Sequence, residues 1–219
     1  MTSVKLVWST PDAEEMIVKM ARVSAPKNQD NMKTAPKLLK YLIEHEHWSP
    51  FEMAGMTMEI QTTRAIAPQI LRHRSFTFQE FSQRYANTNK IGRIEMPNLR
   101  AQDPSNRQNS TDDLAQKLGK PKLADLYRKI AIHFEEAEHI YQEMVSLGVA
   151  KESARFVLPL ATPTRLYMNG TLRSWIHYIL LRTKEGSQLE HKQIAEDIRE
   201  VFHLQFPIIS EAIEWNQNA

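Results

Sequence analysis

The glycines restrict this 219-residue chain more than any other feature. There are six, at positions 55, 92, 119, 148, 170 and 186, and no two lie within one short loop. A GxGxxG turn and a GxxxxGKS/T loop both need clustered glycines, so neither a dinucleotide-binding Rossmann unit nor a P-loop is open to the chain. Any phosphate it binds must be held by arginines, hydroxyls or helix N-termini. The chain also has no cysteine, which excludes disulfides, thiolate metal sites and every cysteine-nucleophile mechanism. Lys and Arg total 28 against 26 Asp and Glu, so a net charge of +2 implies no polycation for nucleic acid. No apolar run approaches the length that spans a membrane, and the N-terminus lacks a signal-peptide pattern. No membrane partner is expected, and the expected location is cytoplasmic.

Hydrophobic periodicity outlines one helix-dominated α+β domain over residues 1–219, with a small mixed or antiparallel sheet and too few strands for a barrel. Val4 to Trp8 reads as a strand. Ser9 or Thr10 before Pro11 then opens a helix with Met16, Ile17, Met20 and Val23 on its apolar face. Thr34 and Pro36 repeat that signal ahead of Leu38, Leu39, Leu42 and Ile43. Residues 54–61 alternate with period two, the mark of a half-buried strand. A helix is expected from about Thr63 to Arg72, bent or offset by Pro68. Residues 86–113 are rich in Asn, Gln, Ser and Asp and read as a long excursion, with a short strand at Arg93 to Met96. A long amphipathic helix runs through Leu123, Leu126, Ile130, Phe134, Ala137, Tyr141, Met144 and Leu147 and is closed by Gly148. A short helix at 151–157, an extended stretch from 158 to 168, helices at about 171–183 and 187–204, and a last turn from Pro207 complete the chain.

The chemistry concentrates between Arg72 and Tyr85, where three arginines, a histidine and a carboxylate interleave with three phenylalanines. The aromatics favour burial, and buried guanidinium groups need anionic or hydrogen-bonding partners. Three occupants fit: the protein's own carboxylates, a bound phosphate with a planar heterocycle, or a single-stranded nucleic acid, which the near-neutral charge disfavours. Downstream lie Arg155, Arg165, Arg173 and Arg182. Arg173 and His177 are four apart and share a helix face, whereas Arg173 and Arg182 are nine apart, about 900° of rotation, and point to opposite faces. If both bind ligand, they serve two sites, which suggests an oligomer with sites at subunit boundaries. The eight histidines form no metal signature, so no metal is expected. No GxSxG elbow makes a nucleophile of Ser49, Ser75 or Ser82.

The run Arg72-His73-Arg74, seven residues, Ser82 and then Arg84-Tyr85 closely resembles the signature of the flavin-dependent thymidylate synthases. His47-Trp48-Ser49-Pro50-Phe51-Glu52 is similar to that family's histidine, Ser/Thr-Pro-Phe-Glu segment. Ala154 to Pro159 resembles its AR-x-x-LP segment, and Leu172-Arg173-Ser174 with His177 and Leu181-Arg182 resembles its C-terminal helix. Thr77 stands where serine is usual, Gln79 where asparagine is frequent, and Met53 where histidine is common.

The resemblance implies reductive methylation of dUMP to dTMP, with methylenetetrahydrofolate as one-carbon donor, FAD as redox cofactor and NADPH as reductant, in a homotetramer whose active sites are shared between subunits. It implies that Arg182 is catalytic, facing the uracil and stabilising ionisation at N3. It implies that Gln69, Arg72, Ser82, Gln83, Arg84 and Arg155 hold dUMP, with Glu80 between nucleotide and flavin. Ser49, Arg72, His73, Arg74, Thr171, Arg173 and His177 are implied at FAD, and His47 near the reacting face. A nucleotide-binding regulator without turnover would keep the same arginines.

Overall fold

A computed structural model describes residues 2–87 and 90–214. Its centre is one antiparallel sheet in the order β1-β2-β6-β3, formed by β1 (Ser3–Ser9), β2 (Gly55–Thr63), β6 (Pro163–Thr171) and β3 (Thr77–Glu80). The sheet is thus antiparallel throughout. The period-two reading of residues 54–61 holds: Met56, Met58 and Ile60 are fully buried, and their neighbours alternate outward.

Helices make up most of the rest of the regular structure. They are α1 (Ala13–Ala21), α2 (Ala35–Glu44), the single turn α3 (Ala67–Ile70), and, beyond the two-residue pairing of β4 (Ala101–Gln102) with β5 (Ser110–Thr111), α4 (Leu114–Leu118). Then follow α5 (Lys120–Ser146), α6 (Lys151–Ala154), α7 (Leu172–Arg182), α8 (Leu189–Gln205) and α9 (Pro207–Ile213). The core gathers Ile17, Leu39, Phe51, Met56, Trp175, Ile179, Ile198 and Phe202 into one cluster. Trp175 links helix to sheet, its indole N–H donating to the Met56 carbonyl at 2.9 Å. Among the described residues no helix is long and apolar enough to cross a membrane.

Several expected boundaries move. The helix expected over 63–72 is mostly not helical: β2 runs on to Thr63 because Pro163 pairs opposite it, leaving only Ala67–Ile70 to coil. Pro68 lies in the first turn of that helix, where its missing N–H costs nothing, so it opens the helix rather than bending it. Arg93 to Met96 forms no strand. The extended stretch from 158 becomes turns, and β6 begins at Pro163. Thr10 caps no helix; its hydroxyl accepts from the Gly55 N–H at 2.9 Å, and Asp12 precedes α1 instead. Met20 and Val23, expected on the buried face of that helix, are exposed, while Ile17 and Val18 are buried. Gly148 ends α5 at φ 86°, a left-handed conformation that glycine adopts without strain.

α5 is unlike the other long helices. Of its apolar stripe only Ala137 and Tyr141 are buried, and Leu126 and Leu147 remain exposed.

Candidate active site

α7 carries an arginine towards each end, Arg173 and Arg182, and the fold sends them to different neighbours. Thr171 opens the helix as N-cap, accepting from the Ser174 N–H at 3.3 Å, while the Ser174 hydroxyl donates to the Ser75 carbonyl at 3.2 Å. The RHR segment is thereby tied to the start of α7. Gly170, just before the cap, has no room for a side chain: an added Cβ would stand 2.5 Å from the Phe76 ring. Phe76 in turn packs edge-on to Trp175, with centroids 4.8 Å apart. Two consecutive stretches of the RHR segment are therefore locked against one helix.

At the far end, Arg182 Nε donates to His73 Nε2 at 2.9 Å. Tyr178 lies edge-on to His73 at 4.8 Å between centroids. Behind them His191, from α8, is fully buried with Nε2 3.1 Å from the Tyr178 hydroxyl and Nδ1 without a partner. Burial, reinforced by the Arg182 charge, pushes His73 down to about 4 and His191 down to about 3. Both imidazoles are neutral near pH 7. Burial likewise drives the Tyr178 phenol upward, so it keeps its proton.

At the near end, Arg173 forms an ion pair with Glu52, both half exposed. Glu52 closes the 3-10 turn Ser49–Glu52, so Ser49, Glu52 and Arg173 share one neighbourhood. His177 lies against Trp48 at 4.6 Å and is lowered by burial and by Arg173. His47 is exposed two residues from the turn, its ring 6.0 Å from Tyr41 and 6.1 Å from His45.

The remaining expected residues lie along β3 and the chain that follows it. Glu80, at the end of β3, is held by Arg64 and by the Thr164 hydroxyl, which donates at 2.9 Å. Ser82 accepts from the Arg84 N–H at 3.3 Å. Gln83 is buried, and its Nε2 has no hydrogen-bond partner. Arg84 reaches Glu152 at 3.4 Å in an exposed pair, which draws residues 82–85 towards Arg155. Arg155 sits over the Phe156 ring at 5.9 Å. Tyr85 and Phe156, 80% and 83% exposed, offer two bare aromatic faces beside those arginines. Gln69 donates to Gln188 at 2.6 Å, and Gln188 donates on to Glu190, which grips Arg100 through two bonds at 2.7 and 3.1 Å.

Arg72 and Arg74 are exposed, and among the described residues neither they nor Arg155 nor Arg182 pairs with a carboxylate. Self-pairing with carboxylates accounts for Arg64, Arg84, Arg100 and Arg173, and leaves these four and Arg165 among the arginines of the site segments. A buried amide N–H without an acceptor at Gln83 lies on the same segment. Such a set suits an anionic ligand rich in acceptors.

A cavity of about 550 Å³ adjoins this region between the ends of β2 and β6 and residues 91–98. None of the expected site residues lines it, yet Thr164 and Gln188, the partners of Glu80 and Gln69, do. Sequence reading missed Arg64, Tyr178, Glu190 and His191. Tyr178 and His191 could have been suspected from polar residues at buried helical spacing; Arg64 gave no signal, because its partner Glu80 lies 16 residues away in β3.

Comparison with known proteins agrees with the motif. The family described as thymidylate synthase complementing protein matches residues 5–208. A probable flavin-dependent thymidylate synthase of Paramecium bursaria Chlorella virus 1 is 50% identical over 206 residues, covering 93% of this chain and 91% of the relative. A flavin-dependent thymidylate synthase of Synechocystis is 48% identical over 202 residues, covering 92% and 90%. Among solved structures, a UMP/dUMP methylase from Streptomyces cacaoi bound with 5-Br UMP superposes with a TM-score of 0.82 at 26% identity, covering 97% of this chain and 93% of the other.

Proposed function

Because this chain belongs to the flavin-dependent thymidylate synthase family, we propose that it reductively methylates dUMP to dTMP. Methylenetetrahydrofolate gives the one-carbon unit, FAD carries the redox step and NADPH reduces it. The observation that carries the reading is a set of guanidinium groups without a carboxylate partner among the described residues, Arg72, Arg74, Arg155 and Arg182, two of them on a segment tied to α7.

The donor set fits both ligands. Arg84 and Arg155 suit the nucleotide phosphate; Gln69, Arg72, Ser82 and the unsatisfied amide of Gln83 suit the rest of dUMP. Arg182 faces the uracil, where a fixed positive charge stabilises the anion that forms as N3 ionises, and so raises nucleophilicity at C5. Its Nε is already engaged by His73, which leaves the two terminal nitrogens for the ring. Arg72 and Arg74 supply charge for the FAD diphosphate, with Ser49, His73, Thr171, Arg173 and His177 completing that set. Glu80, fixed by Arg64 and Thr164, lies between nucleotide and flavin. His47 serves the reacting face. Bound flavin would supply the reducing equivalents, which suits a chain without a cysteine nucleophile.

The active unit is proposed as a homotetramer working in the cytoplasm. The chain exposes 13585 Å², well above the roughly 10,000 Å² of a compact protein of its mass. Leu126 and Leu147 of the α5 apolar stripe are exposed and only two of its residues are buried, and Arg173 and Arg182 look to different sides of α7. Sites completed by neighbouring copies account for all three.

The visible spectrum of the purified protein tests the reading first. A flavin band that bleaches on anaerobic NADPH, with FAD released on denaturation, is expected. Protein that stays colourless after added FAD would sink it. Arg182→Ala is expected to abolish most dTMP formation, about 100-fold or more, in folded protein that still carries FAD. Unchanged turnover would remove Arg182 from the chemistry. Arg173→Ala is expected to lose FAD and keep dUMP, and the reverse pattern would refute the assignment of separate ligands to the two ends of α7.

A further inference from the structure

Tyr178 and His191 are buried polar residues that none of the roles above uses. Both border the contact between Arg182 and His73. Arginine only donates hydrogen bonds, so the 2.9 Å contact requires a lone pair on His73 Nε2. His73 must therefore be neutral, with its proton on Nδ1. The groups packed round it maintain that state. Tyr178 meets it edge-on at 4.8 Å, His191 at 6.0 Å and Phe76 at 6.4 Å. The Tyr178 hydroxyl and His191 Nε2 satisfy one another at 3.1 Å, so neither needs His73. The titratable and charged groups facing His73 are Arg182 and Tyr178 from α7 and His191 from α8, with exposed Arg72 and Arg74 on its own segment. No carboxylate among the described residues pairs with His73 or Arg182 to favour a second proton.

We propose that His73 is a positioning residue for Arg182, kept as the neutral Nδ1–H tautomer by the buried Tyr178–His191 pair, and that this bond aims the free end of the guanidinium at the uracil. The aim at uracil rests on the reading of Arg182 given above; the tautomer and the bond do not. Lysine could not replace Arg182, since one nitrogen cannot both hold His73 and present a flat pair of donors to the ring. The Nδ1–H of His73 remains a donor, which leaves the residue compatible with a neighbouring flavin.

Nitrogen NMR of histidine-labelled protein, followed from pH 8 to 5, reads the tautomer in the parent without any substitution. His73 is expected to show an unprotonated Nε2 and a protonated Nδ1 across the whole range. A proton on Nε2, or titration near the ordinary 6.5, would overturn the proposal. The second arm measures dUMP affinity by calorimetry with FAD content recorded. His73→Ala is expected to weaken dUMP about tenfold or more when compared with the parent at equal FAD occupancy, FAD being added where needed, and His73→Gln, whose Oε1 can accept from Arg182, to recover most of it. Loss of FAD with dUMP affinity intact would make His73 a flavin ligand only and overturn the proposal. Parent protein that binds no dUMP would instead refute the reading of Arg182, while the NMR arm still decides whether His73 holds it.

Discussion

At the start of α7, Arg173 pairs with Glu52 at the solvent boundary and His177 leans on Trp48; at its end, Arg182 bonds a neutral imidazole beside Tyr178 and His191, both almost wholly buried. The residue types are alike and the helix is the same. What differs is the supply of water and of negative charge. A half-exposed guanidinium with a carboxylate partner is neutralised within the chain. A guanidinium whose partner among the described residues is an imidazole keeps its full charge for something else, and partial burial makes that charge act more strongly. The lesson is that an arginine's availability follows from its partner's protonation state, and here burial sets that state.

The comparison breaks most completely through Trp175, which sits between the two ends with its indole bonded to Met56. Trp175→Ala is expected to lower unfolding free energy by about 3–5 kcal/mol and to loosen both ends together, measured by denaturant unfolding. Should the loss stay under about 1 kcal/mol, the two ends would be held independently. Tyr178→Phe acts at one end only. It strips His191 Nε2 of its partner when Nδ1 already has none, so a loss of about 1–3 kcal/mol is expected, with the Arg173 end undisturbed.

Acid should also discriminate between the ends. The folded protein holds His73 and His191 neutral well below 6.5, while the unfolded chain takes up protons there. Their contribution to stability is therefore complete above about 6.5 and declines as pH falls towards about 4 for His73 and about 3 for His191. Thermal midpoints recorded from pH 7.5 to 5 should fall, and His191→Phe should flatten the slope. An unchanged slope would mean that His191 is not buried neutral. The smallest effect is expected at Glu52→Gln: at most about 1 kcal/mol, because its pair with Arg173 is half exposed, and diminished further by salt.

Strand β2 was legible because one buried face forces strict alternation, and α5 because its apolar stripe and terminal glycine agree. The four-residue β3 was not recognised as a strand, although its residues were singled out for their chemistry. Its pairing with β6 is far along the chain, and four residues carry little periodic signal. Arg93 to Met96 had strand-like composition and found no strand to pair with, which no local pattern could reveal. The site divided in the same way. Arg72, His73, Arg182 and the others were visible as residue types at fixed spacing, whereas the 2.9 Å bond between His73 and Arg182 spans 109 residues.

The order of motifs, the exclusion of glycine-loop and cysteine chemistry, and the half-turn offset between Arg173 and Arg182 belong to the sequence itself, since they depend only on residue identity and helical rise. Which arginines are neutralised and which remain free was decided by the tertiary structure. Ion pairing and desolvation act through space over a few ångströms, and only folding brings Glu52 to Arg173, Arg64 to Glu80, and a neutral His73 to Arg182.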